Sequence, residues 1–317
     1  METAEERPGR RARGKRGDGV WYPRWFWPSF VTPATLVLLV LFLLPFYVIL
    51  GVTFGKLDPI FQSPVPVWDP AQWDRGVFSF TLSSIVDGGG IYHTTFIRTL
   101  VYVASATGLC LLIGYPFAYF VARHSGRHKV TFLVAFFAPF WISYMMRMMA
   151  WVSLLQDDGY VNRILQSLGI LRTPYPWLAG KSITVILGLV YGYIPYMILP
   201  LYAALDRIPQ SHLEAARDLG ASPARTFARV TLPGSEQAIL AGVILAGLPM
   251  FGDYFTNQLL ADTAGTRMIG NWIVDSLEVP IFVPRAASLA LVLLMLLILP
   301  IVYYLRSTRR ASVERIA

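Results

Sequence analysis

Charge is scarce in this chain: of 317 residues only 15% are Asp, Glu, Lys or Arg, while 55% are hydrophobic. A soluble domain of that make-up would leave large apolar patches facing water, so the sequence is that of an integral membrane protein. Cysteine is scarcer still. The single Cys110 excludes a disulfide within the chain and any zinc site built from several thiols; inside an apolar run it reads as a small core side chain. The four histidines, His93, His124, His128 and His212, fall in loops or at surfaces and make no clustered set. No glycine loop followed by Lys and Ser or Thr is present, so ATP hydrolysis is not expected of this chain, and neither G-x-S-x-G nor H-E-x-x-H occurs. No catalytic residue and no metal ligand is therefore assigned, and the chain is read as a non-enzyme.

What the sequence has in abundance is long apolar runs. A helix needs roughly 20 residues to cross a bilayer core, and runs of that order lie near Pro33 to Phe54, Phe96 to Val121, Val130 to Leu155, Ser182 to Leu205, Gln237 to Leu260 and Ala286 to Leu305. Lipid tolerates only structures that satisfy their own backbone, so the fold class is all-α, a polytopic protein of about six membrane helices. The first run is too long for a signal-peptide core and lacks a small-residue cleavage site, which makes it an uncleaved anchor.

The net charge of +8 is spread over short loops between apolar spans, a pattern of topology and not of nucleic-acid binding. Arg7, Arg10, Arg11, Arg13, Lys15, Arg16 and Arg24 precede the first span. Arg123, Arg127 and Lys129 follow the second; Arg207, Arg217, Arg225 and Arg229 precede the fifth; Arg306, Arg309, Arg310 and Arg315 close the chain. Positive loops stay inside, so both termini are expected in the cytoplasm. The expected organisation is a basic tail and interfacial aromatic segment over 1–32, a transmembrane domain over 33–305 containing a cytoplasmic loop at 206–234, and a cytoplasmic tail at 306–317. Residues 1–19 have the composition of a disordered tail, and Trp21, Tyr22, Trp25, Phe26 and Trp27 suit the headgroup region. The segments 55–95 and 156–181 are outside loops, the first with room for short surface helices and contact with an extracytoplasmic partner. Pro116, Pro139, Pro195, Pro200 and Pro249 punctuate the spans, either as packing kinks or as bends around a pathway.

The loop at 206–234 carries the most specific pattern. Glu214-Ala215-Ala216 is followed by Gly220, and after nine further residues by Val230-x-Leu232-Pro233. Ser211 and Glu214 have the spacing of a capping box, Gly220 suits a left-handed helix stop, Ser222-Pro223 suits a restart, and Pro233-Gly234 suits a break before the next span. The expectation is helix, turn and helix along the membrane surface. Ala215, Ala216, Ala221 and Ala224 present little bulk, so another protein could approach the backbone closely.

This pattern resembles the EAA loop of permease subunits in bacterial ATP-binding-cassette importers, with valine for the more usual isoleucine. The resemblance implies the type I importer permease fold. It further implies that Glu214, Ala215, Ala216, Gly220, Pro223, Leu232 and Pro233 dock a separate ATPase subunit, which would bind the ATP and Mg; no cofactor is expected in this chain. The partners so implied are ATPase subunits, a second permease of the same or another kind, an extracytoplasmic substrate-binding protein and the lipid of a bacterial plasma (inner) membrane. Further stretches resemble the polyamine branch, the putrescine and spermidine permeases: Leu111 to Pro116, Arg147 to Trp151, Tyr191 to Pro200 and Met268 to Gly270.

A polyamine pathway needs carboxylates to offset charge and aromatic faces for cation–π contact. Asp253, which the run places inside the fifth span beside Gly252 and Tyr254, is the leading candidate; pairing with Arg147 or capping a broken helix is the alternative. Trp141, Tyr144, Trp151, Tyr193 and Tyr196, with Tyr254, complete the candidate path, and Tyr191 belongs to the same aromatic group. Against the polyamine permeases, Thr256 to Asp262 replaces the expected proline and double-glycine character, and Arg147 suits a cation path poorly. Permeases for sulfate, phosphonate or ferric complexes therefore stand as the competing reading, and a secondary transporter as the rival from another class.

Overall fold

The computed structural model describes residues 25–314, without the side chains of Trp27 and 309–314. The basic tail, Trp21, Tyr22, Arg309, Arg310 and Arg315 lie outside this description. The chain divides between Val48 and Ile49 into two units.

The first unit holds most of α1 (Phe26–Thr53), a helix apolar on every face with Pro33 and Pro45 inside it. A helix hydrophobic all round is one that lipid surrounds.

The second unit takes in the end of α1 and then a small hairpin in which β1 (Lys56–Leu57) pairs antiparallel with β2 (Pro64–Val65). Its turn is held by Asp58, whose carboxylate accepts from the backbone N–H groups of Ile60 and Phe61 and is thereby held below the usual carboxylate range. The short α2 (Gly76–Val86) follows, with Thr81, Ser84 and Ile85 buried.

Four further helices have the length and apolarity to cross a bilayer, or do so as parts of longer helical runs: α3 (His93–His124), α7 (Ser182–Arg207), α10 (Leu232–Phe251) and α13 (Val283–Glu314). Between α3 and α7 lie α4 (Lys129–Phe137) and α5 (Tyr144–Leu155), which pass the same test only together and meet at an angle of 88°. The single third span expected from the sequence is therefore a broken one. Pro139 sits in the 3₁₀ turn between the two pieces, where it removes a backbone donor, and Ser143 caps the restart by accepting from Met146 N. Short helices α6 (Tyr160–Ser167), α8 (Gln210–Asp218), α9 (Pro223–Thr226), α11 (Phe255–Leu260) and α12 (Ile269–Leu277) fill the connections.

The core is α3 packed on α7 and α7 on α10. Its basis is a row of small side chains at every fourth position of α3, Ala106, Cys110, Gly114, Ala118 and Ala122, all buried. Residues four apart share one helix face, and small ones let membrane helices approach closely where no hydrophobic effect drives them together. Cys110 is the small core residue expected, with its thiol on the Val190 carbonyl at 3.6 Å. On α10 the same role falls to Ala238, Gly242 and Ala246. Met197 of α7 fills the gap between the rows: a Cβ on Gly114 would stand 3.4 Å from its Cγ, and one on Gly242 only 2.6 Å from its sulfur.

The fifth span differs from its expected bounds of Gln237 to Leu260. The helix ends at Phe251, where Gly252 and Asp253 turn back on the Pro249 and Met250 carbonyls, and Phe255–Leu260 is the separate helix α11. Past the break the chain stays within the protein, where α11 packs against α5 and α7.

Candidate functional site

Asp253 occupies the break between α10 and α11, not the interior of a span, and is 6% exposed. Burial of a carboxylate at such a place requires donors. Its Oδ1 accepts from Thr256 N at 2.9 Å; its Oδ2 accepts from the Thr256 hydroxyl at 2.6 Å and from the Tyr144 hydroxyl at 2.9 Å. Tyr144 and Thr256 also touch through their hydroxyls. The Thr256 bond satisfies an N–H in the first turn of α11, so Asp253 steadies the restarted helix, as one of the alternatives held. The other alternative, a pair with Arg147, is not formed.

Three glycines make this arrangement possible. Gly192 of α7 faces the Tyr144 ring, and a Cβ there would fall 2.7 Å from Cε2 and 2.9 Å from the hydroxyl. A Cβ on Gly188 would strike Thr256 Cγ2 at 2.5 Å, and one on Gly270 would press on the Gly252 and Asp253 carbonyls at 2.9 Å. The Tyr191-Gly192-Tyr193 stretch thus alternates rings with the space that another ring needs.

Arg147 lies one turn along α5 from Tyr144. Its Nε donates to the Ile142 carbonyl, freed by the break before α5, at 3.1 Å. Its guanidinium carbon stands 4.8 Å from the Phe140 ring centre, 5.4 Å from that of Tyr144 and 5.7 Å from that of Tyr191.

The other path candidates separate. Tyr193 packs near Tyr144 with ring centres 6.2 Å apart and also approaches the Asp253 carboxylate. Trp151 meets Tyr191 edge-on at 5.3 Å in the cluster around Met148, Leu155 and Leu260. Tyr196 is 49% exposed and Trp141 79% exposed, and Tyr254 stacks on Phe255 and lines a different recess with Gln258, Arg267 and Asn271. Sequence reasoning missed Thr256, the residue with most contacts to Asp253. The signal was available as Asp-x-x-Thr, a polar residue three positions before a hydroxyl at the start of a short helix.

In the loop before α10, α8 runs from Gln210 with Pro209 at its cap position. The expected capping box is absent: Ser211 is already inside the helix, because Pro209, whose fixed φ suits the helix entry, takes the boundary. Glu214 and Ala215 are exposed. Gly220 has φ +81°, and the bonds Gly220 N to Arg217 O at 2.8 Å and Ala221 N to Ala216 O at 3.0 Å form the two-bond stop that requires it. Leu219 beside it is 89% exposed. Ser222 accepts from Arg225 N and Pro223 opens α9, as expected.

Pro233 does not break the second helix. From Pro223 the chain stays helical to Phe251, through a π-turn at Phe227–Thr231 in which Leu232 N reaches Phe227 O. Wider i to i−5 bonding opens the room that a proline ring otherwise takes from the carbonyl four residues back. The second half of the loop is thus the start of a membrane helix, and only α8 stands apart from it.

Residues 25–311 match the family model described as "Binding-protein-dependent transport system inner membrane component". The chain is 34% identical over 220 residues to the spermidine/putrescine transport system permease protein PotB of Escherichia coli K12, covering 69% of this chain and 79% of that one. It is 36% identical over 219 residues to the protein of the same name from Haemophilus influenzae, covering 69% and 76%. Among solved structures, a bacterial alginate ABC transporter in complex with an alginate pentasaccharide-bound periplasmic protein contains a chain with TM-score 0.64 and 17% identity, over 90% of this chain and 95% of that one. The match over nearly all described residues, with an all-α fold of five or six spans, leaves one assignment: the chain belongs to the family of inner membrane components of binding-protein-dependent transport systems.

Proposed function

We propose that this membrane permease forms part of the pathway for a polyamine such as putrescine or spermidine. The substrate is delivered by an extracytoplasmic binding protein, and a separate ATPase subunit drives the cycle with its own ATP and Mg. A second permease completes the pathway, and both termini lie in the cytoplasm. The likeness to two spermidine/putrescine permeases carries this reading. The chemistry of the Asp253 cluster supports it: a buried carboxylate beside Tyr144 and Tyr193 is what a desolvated ammonium requires.

The ATPase is proposed to grip α8 and the Gly220 turn, with Glu214, Ala215, Ala216, Pro223, Leu232 and Pro233 around them. An exposed leucine at the tip, next to a short helix tied to α10 through one turn, supports a hand-hold whose movement reaches the membrane helix.

Uptake of labelled putrescine and spermidine by cells with and without this chain tests the substrate, with labelled sulfate as control. Polyamine uptake that depends on the chain and falls in Asp253→Asn agrees with the proposal. Dependence for sulfate alone refutes it.

A further inference from the structure

The cluster beside Asp253 holds a feature that helix packing does not require. Arg147 is a cation inside a three-sided aromatic enclosure, with Phe140, Tyr144 and Tyr191 all within 5.7 Å of its guanidinium carbon. One nitrogen, Nη1, is buried with no hydrogen-bond partner. An arginine placed for structural reasons would be expected to use its fork of donors on a carboxylate or on helix-end carbonyls; here a single N–H does so, on Ile142. The nearby acid is satisfied by neutral donors, and no ion pair joins the two among the described residues. Acid and cation instead share Tyr144, one through its hydroxyl and the other through its ring.

We infer that the ring enclosure of Phe140, Tyr144 and Tyr191 is a cation-binding subsite in which Arg147 is a tethered occupant, exchanged for an ammonium group of the substrate when transport begins. The inference rests on the polyamine reading for its natural ligand, but the enclosure itself recognises any compact organic cation. Three faces converging on one charge are the arrangement by which proteins hold such cations. An orphaned N–H makes the guanidinium a weakly held guest, one that departs once a better-solvated alternative opens. The occupant lies on the α5 side of the α4–α5 break, where a change in the angle between those helices would alter the enclosure: Phe140 belongs to the piece before the break, Tyr144 and Arg147 to the piece after it, and Tyr191 to α7. Arg147 is thus a specificity-determining residue that makes substrate entry a replacement of one cation by another and keeps the site electrically filled at rest.

The test uses the complete transporter, this chain with its ATPase and second permease, purified and also reconstituted in vesicles. Arg147→Ala vacates the enclosure. Low-millimolar guanidinium chloride should then raise the thermal unfolding midpoint of the Arg147→Ala complex and leave wild type unmoved, and the rise should vanish in Arg147→Ala/Tyr191→Leu. In vesicles, the KM for spermidine should fall about tenfold in Arg147→Ala, the size of one desolvated cation–π contact, and guanidinium should inhibit that variant competitively. Arg147→Lys, which keeps a tethered cation, should hold a near-wild-type KM. Should Arg147→Ala fail to assemble, Arg147→Gln with the same guanidinium titration takes its place. Guanidinium stabilisation without any polyamine uptake by wild type would retain the subsite and remove the polyamine reading. Polyamine uptake by wild type with no guanidinium effect in the vacated variant would overturn the subsite and leave that reading intact.

Discussion

Gly192→Ala is the sharpest probe of the Asp253 cluster, because one methyl group acts on it from the helix opposite. The added Cβ would lie 2.7 Å from Tyr144 Cε2, whereas ordinary contact begins at 3.4 Å, so the ring must retreat by about 0.7 Å. The ring is not free to do so: its hydroxyl is bonded to Asp253 and meets Thr256, and the Arg147 guanidinium lies over its face. A shift of that size, where it draws the hydroxyl away from Asp253, would lengthen the 2.9 Å contact to about 3.6 Å, which is no longer a hydrogen bond. Losing a bond to a charged group costs about 1.5–3 kcal/mol. Replacing glycine by alanine within a helix returns about 1 kcal/mol. The net expectation is destabilisation of about 0.5–2 kcal/mol, read from thermal or denaturant unfolding of the purified transporter. Tyr144→Phe removes the hydroxyl alone, so the two changes should be less than additive, with a coupling of about 1 kcal/mol. A Gly192→Ala protein more stable than wild type, or penalties that simply add, would show that the ring is not held as described.

Further substitutions address the rest of the molecule. Gly220→Val forces a β-branched residue to φ +81° in open space, a backbone penalty of about 1–2 kcal/mol with no steric clash. It and the exposed Glu214→Arg should leave membrane insertion intact while reducing ATPase copurification and uptake; normal copurification of both variants would remove α8 as the grip. Gly242→Val places a side chain against Met197, which Gly114 confines from the other side, and overpacking of this kind costs about 1–3 kcal/mol. Met197→Ala in the same chain should restore part of the loss, and a double variant worse than the sum of its singles would contradict the packing.

The membrane spans, the loop pattern and the Gly220 stop were legible because each depends on local chemistry. Apolar length, a left-handed glycine and a serine before a proline act within a few residues of themselves. The errors share a cause too. At Ser211 the spacing of a capping box competed with a proline two residues earlier, and the proline set the boundary. At Pro233 the local signal for a break was true of an α-helix but not of the π-turn that precedes it. At Phe251 an apolar stretch read as a whole hid the break: Asp253 and the polar Thr256, Asn257 and Gln258 of α11 were carried inside a run whose other members are mostly apolar. The partners of Asp253 were half visible: Thr256 lies three residues on, but Tyr144 is 109 positions away and only the packing of α5 against α7 and α11 brings it near.

The break at Gly252 and Asp253 also limits how a substrate can use the carboxylate. Ending a helix in a low-dielectric place exposes carbonyls and N–H groups that need partners. Here the local residues supply them: Gly252 N and Asp253 N bond back to α10, Asn271 takes the Tyr254 carbonyl, and Asn257 clamps the Ala261 and Thr266 carbonyls. Asp253 is part of that same accounting. A carboxylate offers about four lone-pair sites; Thr256 N takes one on Oδ1, the Thr256 and Tyr144 hydroxyls two on Oδ2, and Tyr193 approaches the same group. Little acceptor capacity is left over, so on the polyamine proposal Asp253 would orient one amine at most. On that proposal the other amines would take their hold from aromatic faces, and the ring enclosure filled by Arg147 shares Tyr144 with the carboxylate.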